Sequence, residues 1–321
     1  MSRTFLIDTD TASDDAVAIL MALRDPRVEV AAITVVSGNV PVDQGVRNAL
    51  TTVELCDCQV PVHRGAEAPL ERPATYAEFF HGADGMGDMH YPAPRRQAAG
   101  SDAVDALIAA AAAHPGLILV TLGPLTNIAQ AVRQAPQIVD RISRCVVMGG
   151  AACTVGNITP AAEFNLYVDP EAARIVFHSG LPIELVGWEL CRGAANLDDD
   201  DMRRIRGFGT PYADFCLDCN RRALEVNRRL YDDPGIPLPD PVAMAIALEP
   251  EICTRSSEHW VEIETASELT RGMTVVDALD VTADGQLAAT WADLHRHGRR
   301  ASVCWEIDVA AWKERLDRAL R

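Results

Sequence analysis

Phe5-Leu6-Ile7-Asp8-Thr9-Asp10-Thr11-Ala12-Ser13-Asp14-Asp15 runs from an apolar strand-like stretch into four aspartates within eight residues. Crowded carboxylates repel one another and lose hydration, so each favours its protonated form. Hard divalent cations such as Ca²⁺ and Mg²⁺ take oxygen ligands. The stretch therefore reads as a metal-dependent active-site loop at the end of a strand. A simpler alternative is an acidic turn capping the next helix, with Ser13 or Asp14 as N-cap. Capping calls for one or two acids, which leaves the others unexplained.

Working outward, short apolar runs at residues 4–8, 28–36, 117–121, 145–148 and 183–186 read as strands. Helix-patterned segments at 15–24, 43–55, 102–114, 125–134 and 170–178 lie between them. This alternation predicts an α/β fold, an open, mainly parallel sheet with helices on both faces. The second half is more helical, with helices expected at 197–206 and 211–229, a proline-rich loop at 231–241 and a helix from Val242. A few late strands at 261–264, 274–276 and 301–307 and a closing helix at 309–320 complete the reading. No repeat, low-complexity linker or charge break divides the chain, so residues 1–321 are expected to form a single domain. Ligands in such sheets bind at the carboxyl ends of the strands. The polar clusters Asp8 to Asp15, Ser37-Gly38-Asn39, Leu122-Gly123-Pro124 and Gly149-Gly150 all follow strand candidates.

Composition removes several function classes. A formal net charge of −17 opposes docking on nucleic acid phosphates or on anionic membranes. No apolar run reaches the roughly 18 residues of a membrane span, and a strand starting beside the N-terminus leaves no room for a signal peptide. Nine cysteines, an odd number, predict reduced thiols in a cytoplasmic protein. Cys216 and Cys219 lack a second pair at zinc-site spacing and read as buried helix thiols.

Three further clusters carry chemistry. Asp240 stands between Pro239 and Pro241 at a helix start, as a cap or as a distal metal ligand. Gly156-Asn157-Ile158-Thr159-Pro160-Ala161-Ala162-Glu163-Phe164-Asn165 offers donors and acceptors suited to a neutral polyhydroxyl ligand, or a turn satisfying its own backbone. His81-Gly82-Ala83-Asp84-Gly85-Met86-Gly87-Asp88 has the glycines of a mobile loop.

Together these residues resemble the nucleoside hydrolases, the inosine-uridine preferring N-ribohydrolase family. Asp8 to Ala16 matches the family's DxDxxxDDA signature, and Leu122 to Ala129, Val147 to Gly150, Ala162 to Asn165, Asp169 to Ala172 and Asp240-Pro241 follow in order. The resemblance implies a Ca²⁺ held by Asp10, Asp15, Asp240 and the main-chain carbonyl of Leu122, with Asp10 also deprotonating the attacking water. It implies substrate contacts from Asp14, Asn39, His81, Asn157, Glu163 and Asn165. The expected reaction is hydrolysis of a ribonucleoside N-glycosidic bond to ribose and free base, through an oxocarbenium-like transition state. A homodimer or homotetramer is implied as well.

One position departs from that pattern. Many relatives carry a histidine just before the last metal aspartate, thought to protonate the departing base; here it is Pro239, which has no proton to give. Three readings follow. Another residue (His81, Tyr231 or Arg222) acts as acid; the base leaves unprotonated, stacked on an aromatic such as Trp188; or the substrate is modified, with arginines at 221–222 and 228–229 meeting an anionic group. Two rival functions remain: a ribose- or modified-nucleoside-binding relative with altered or lost turnover, and a haloacid-dehalogenase-like phosphatase. The second is weak, because its downstream lysine is missing: Lys313, in the terminal helix, is the chain's only one.

Overall fold

A computed structural model of the chain describes residues 3–100, 102–230, 235–287, 289 and 300–321. Among the described residues, nine strands form one sheet in the order β3-β2-β1-β4-β5-β6-β9-β7-β8. They are β1 (Arg3–Thr9), β2 (Val28–Val35), β3 (Val62–Arg64), β4 (Leu117–Thr121), β5 (Ile142–Met148), β6 (Ile183–Val186), β7 (Cys253–Ile263), β8 (Thr274–Val276) and β9 (Arg300–Ile307). Pairing is parallel from β3 across to β9, and β7 is antiparallel to both β8 and β9. This is the expected open, mainly parallel α/β sheet.

The central strands are buried on both faces, which is why they read as continuous apolar runs instead of alternating ones. Phe5 and Ile7 of β1, and Ile118 and Val120 of β4, enter one core; Leu6, Leu117 and Leu119 enter the other. The first core is covered by α1 (Ser13–Leu23), α2 (Val42–Leu55) and α11 (Pro239–Leu248), and the second by α4 (Ala103–Ala113), α5 (Thr126–Gln134) and α7 (Pro170–His178). The remaining helices among the described residues are α3 (Glu78–His81), α6 (Phe164–Val168), α8 (Asp199–Arg206), α9 (Pro211–Cys219), α10 (Arg221–Leu230) and α12 (Val309–Leu320).

Several elements differ from the sequence reading, the short helices α3 and α6 among them, where loops were expected. The helix expected over 211–229 breaks at Asn220, whose Nδ2 donates to Cys216 O at 2.9 Å. Such side-chain bonding competes with backbone continuation. Helix α11 begins at Pro239, before Val242, because prolines in a first turn forfeit amides that have no helical partner anyway. Strand β7 begins at Cys253, well before residue 261; its first half is exposed and polar, so it carries no apolar signal, and pairing with β9 holds it. Strand β3 is three residues long and was not anticipated.

Two features place the site. The chain leaves β1 toward β2 and returns on the other side as β4, so loops diverge from a switch point at the carboxyl ends of these strands. Helices α1 and α11 pack together, bringing Asp240 in the first turn of α11 to Asp14 and Asp15 in the first turn of α1.

Candidate active site

Oxygens of Asp14, Asp15 and Asp240 lie within 4.8 Å of one another, and all three residues are buried. Asp15 is fixed by Thr9 Oγ1, which donates to its Oδ1 at 2.5 Å, and by the Ala12 amide, which donates to its Oδ2 at 2.9 Å. Asn39 Nδ2 adds a longer bond to the same Oδ2, at 3.3 Å. The Asn39 amide donates to Asp10 Oδ2 at 2.6 Å, leaving Asp10 Oδ1 buried without a partner among the described residues. Asp14 Oδ1 is likewise without a hydrogen-bond partner there, with His81 Nδ1 at 3.8 Å. Asp8 faces away, accepting from Thr34 Oγ1 at 2.5 Å and Asn127 Nδ2 at 2.8 Å, and serves to tie β1 to its neighbours.

The electrostatics follow from this crowding. Burial first, and then the Asp15 charge, push Asp10 well above the usual carboxylate range. Asp240 is pushed well up by burial and by the charges of Asp15, Asp14 and Asp10. Burial raises Asp14 to about 6, and burial with the Asp14 charge raises Asp15 to about 6. Two helix N-termini point at the cluster and offset part of the repulsion. A divalent cation fits the rest: the donors are hard oxygens, and two of them are buried without partners.

The cluster opens on a cavity that is apolar on one side and polar on the other, the usual make-up of a small-molecule site. Asp14, Asn39, His81 and Asp240 line it, with Asn157, Glu163 and Asn165 contributed by the loop after β5 and the start of α6. Glu163 accepts from the amides of Gly150 at 2.7 Å, Asn165 at 2.8 Å and Leu166 at 3.2 Å, and burial nevertheless raises it to about 7. Asn165 Nδ2 donates to Leu122 O at 2.9 Å, so the Leu122 carbonyl, at the end of β4, keeps one lone pair for another partner. His81 bonds Ser13 Oγ through Nδ1 at 2.8 Å, and burial lowers its imidazole to about 4.

Every residue of the expected site thus gathers around one opening, with Asp10 and Asp15 fully buried behind the surface that Asp14 and Asp240 present. Asp14, expected as a sugar contact, stands in the close carboxylate triplet together with Asp15 and Asp240. The sequence reading missed an apolar group on the same cavity: Phe79, Phe80, Ile158, Phe164 and Pro237, beside Trp188. Their only signal was two adjacent aromatics just ahead of the glycine loop. Arg222 does not line the cavity; it pairs with Glu225 at 2.6 Å, while Arg221 donates to the carbonyls of Gly87 and Asp88. Tyr231 lies outside the described residues.

The sequence profile of the inosine-uridine preferring nucleoside hydrolases matches residues 5–314. The chain belongs to this family. It is 37% identical over 302 residues to the pyrimidine-specific ribonucleoside hydrolase RihA of Escherichia coli strain K12, covering 93% of this chain and 96% of the relative. It is 39% identical over 305 residues to the RihA of Shewanella sp. strain ANA-3, covering 93% and 94%. The solved purine-preferring ribonucleoside hydrolase from Gardnerella vaginalis superposes with a TM-score of 0.88 at 29% identity, covering 99% of this chain and 98% of that one. As a nucleoside hydrolase, the protein is an N-glycosyl hydrolase of ribonucleosides.

Proposed function

We propose that this nucleoside hydrolase works with Ca²⁺ held by Asp10, Asp15, Asp240 and the Leu122 carbonyl, and that Asp10 is the general base. The observation that carries the reading is the convergence of buried carboxylates from α1 and α11 on one cavity. When bound, the ion supplies positive charge that holds vicinal hydroxyls and makes a nearby water more acidic. Asp10 accepts that water's proton on Oδ1, the oxygen left without a partner while the Asn39 amide fixes Oδ2. Asp14, Asn39, Asn157, Glu163 and Asn165 hold the ribose hydroxyls, and His81 closes the site beside Asp14. Positive charge grows on the ribose ring as the bond to the base breaks, and the surrounding carboxylates favour it.

One sheet running through both halves supports a single domain over 1–321. Nine free cysteines suit a reducing, cytoplasmic compartment, and a homodimer or homotetramer is the assembly to look for. Among the described residues no helix is long and apolar enough to cross a membrane.

The test is a nucleoside panel scored by free ribose. Exhaustive chelation should abolish release and Ca²⁺ should restore it. Asp10→Ala should lose roughly 10²–10⁴-fold in kcat, the usual worth of a general base. Full activity of that variant would overturn the role of Asp10, and thermal stabilisation by ribose with no sugar released from any nucleoside would overturn the reading in favour of a binding protein.

A further inference from the structure

We propose that the preferred substrates are ribosides whose base already carries a positive charge, such as N-alkylated purine or pyridinium ribosides. This rests on the hydrolase reading and names the substrate class of that same cavity. An N-glycosidic bond breaks by leaving its electron pair on the base nitrogen. A neutral base then departs as an anion unless a donor protonates it, and a general acid is typically worth about 10²–10⁴-fold. A cationic base departs neutral and needs no proton.

Among the described residues, the lining of the cavity suits the second case. Its apolar group is Phe79, Phe80, Ile158, Phe164 and the prolines 237 and 239, none of which has an acidic proton. Trp188 and Asn227 add an indole and an amide, which donate hydrogen bonds without acting as acids at neutral pH. The cavity's histidine, His81, is bonded to Ser13 through Nδ1 and lies 3.8 Å from Asp14, among the groups assigned to the sugar. Glu163 is committed as an acceptor to three backbone amides.

Charge points the same way. Asp14, Asp240 and Glu163 line the opening with Asp10 and Asp15 behind them, and one divalent cation offsets only part of five carboxyl groups. No arginine or lysine lines the cavity among the described residues. Arg192 stacks over Trp188 at 5.1 Å from the ring centroid, but it is exposed and screened by solvent. The aromatic faces favour a planar cation, and the net charge of −17 draws cations toward the protein. The balance of the step is simple: water adds hydroxyl to the anomeric carbon, its proton goes to Asp10 and then to solvent, and the glycosidic pair neutralises the base.

The experiment compares kcat/KM, in Ca²⁺, for nicotinamide riboside and 7-methylguanosine against uridine and inosine, with p-nitrophenyl riboside as a neutral substrate with a good leaving group. The cationic pair should exceed the neutral nucleosides by roughly 10²–10⁴-fold, the worth of the acid they dispense with. The pH profile for nicotinamide riboside, whose base keeps its charge at every pH, should rise to a plateau without an alkaline limb, since no protonated acid is required. Uridine or inosine turned over as fast as the cationic pair, with p-nitrophenyl riboside also cleaved, would overturn this inference and leave the hydrolase reading standing. No release from any of the five would overturn both.

Discussion

In metal-free protein, Asp240→Asn should raise stability, and in Ca²⁺ the order should reverse. The carboxylate oxygens of Asp14, Asp15 and Asp240 lie within 4.8 Å of one another. At that separation two unit charges repel by roughly 3 kcal/mol in an effective dielectric of about 20. Partial protonation relieves some of this, and two helix N-termini relieve more, so about 2 kcal/mol is the expected gain from removing one charge. Asparagine keeps the shape and can donate its amide to Asp15, so no cavity is created. For a chain of this size that gain corresponds to a Tm rise of about 3 °C. Ca²⁺ at about 100 times its Kd stabilises the wild type by about 2.7 kcal/mol, and the variant, one ligand short, gains far less. The assay is thermal unfolding of both proteins at pH 7.5, in EDTA and in millimolar Ca²⁺. If Asp240→Asn is less stable by the same amount in both buffers, the acids are not an uncompensated cluster, and Asp240 is an ordinary helix cap.

Other perturbations probe the supports of the site. A Cβ at Gly38 would sit 2.1 Å from Asp10 Oδ2, so Gly38→Ala should displace that carboxylate, lower kcat at least tenfold and cost about 1–3 kcal/mol of stability; unchanged kinetics would show that Asp10 is not held there. Asp25, buried beneath α12, is opposed by burial but held down at about 2 by Arg27 and Arg315. A lowered folded-state pKa gives stability that is present above the unfolded value and is lost as pH falls through the folded one. Denaturant titrations should therefore show the wild type losing roughly 2 kcal/mol of its advantage over Asp25→Asn between about pH 4 and pH 2, and a constant gap would contradict the ion-pair assignment. Pro239→His should raise hydrolysis of uridine or inosine by less than about tenfold, because nothing is arranged there to orient the ring; a gain in the general-acid range of about 10²–10⁴ would mean an ordinary site missing only its acid.

The elements that were legible are those whose local pattern and tertiary role agree. The inner residues of β1, β4 and β5 are buried on both faces, so burial wrote itself into the sequence as apolar runs. The outer half of β7 is the converse: its residues meet solvent, and its strand state comes from pairing with β9, an interaction that no local window contains. The helix break at Asn220 depends on one side-chain bond to Cys216. In the site, the acids stood out because four carboxylates in one turn are costly without a function. Phe79, Phe80 and Ile158 did not stand out, because an apolar residue facing a ligand has the same composition as one facing the core. Thr9 and Ser13, which hold Asp15 and His81, are equally silent in sequence.

The same crowding gives the site a direction of action. Each carboxylate that would stabilise a cationic ribose ring also destabilises its neighbours in the empty protein: burial raises all four acids, and neighbouring Asp charges push Asp10, Asp15 and Asp240 further up. That stored repulsion persists only because the scaffold over-determines it. Asp15 accepts from Thr9 and Ala12, Asp10 from Asn39, and the packing of α1 against α11 brings Asp240 to the cluster. Positive charge entering the cavity, on a metal, on a base or developing on the sugar, relieves the repulsion without any rearrangement of the acids. Preorganisation of this kind acts on the transition state because its cost was met on folding. Neutralising one of the acids while its supports stay in place should therefore make the empty protein more stable and the enzyme slower, whereas a site stabilised by its own contacts would lose both together.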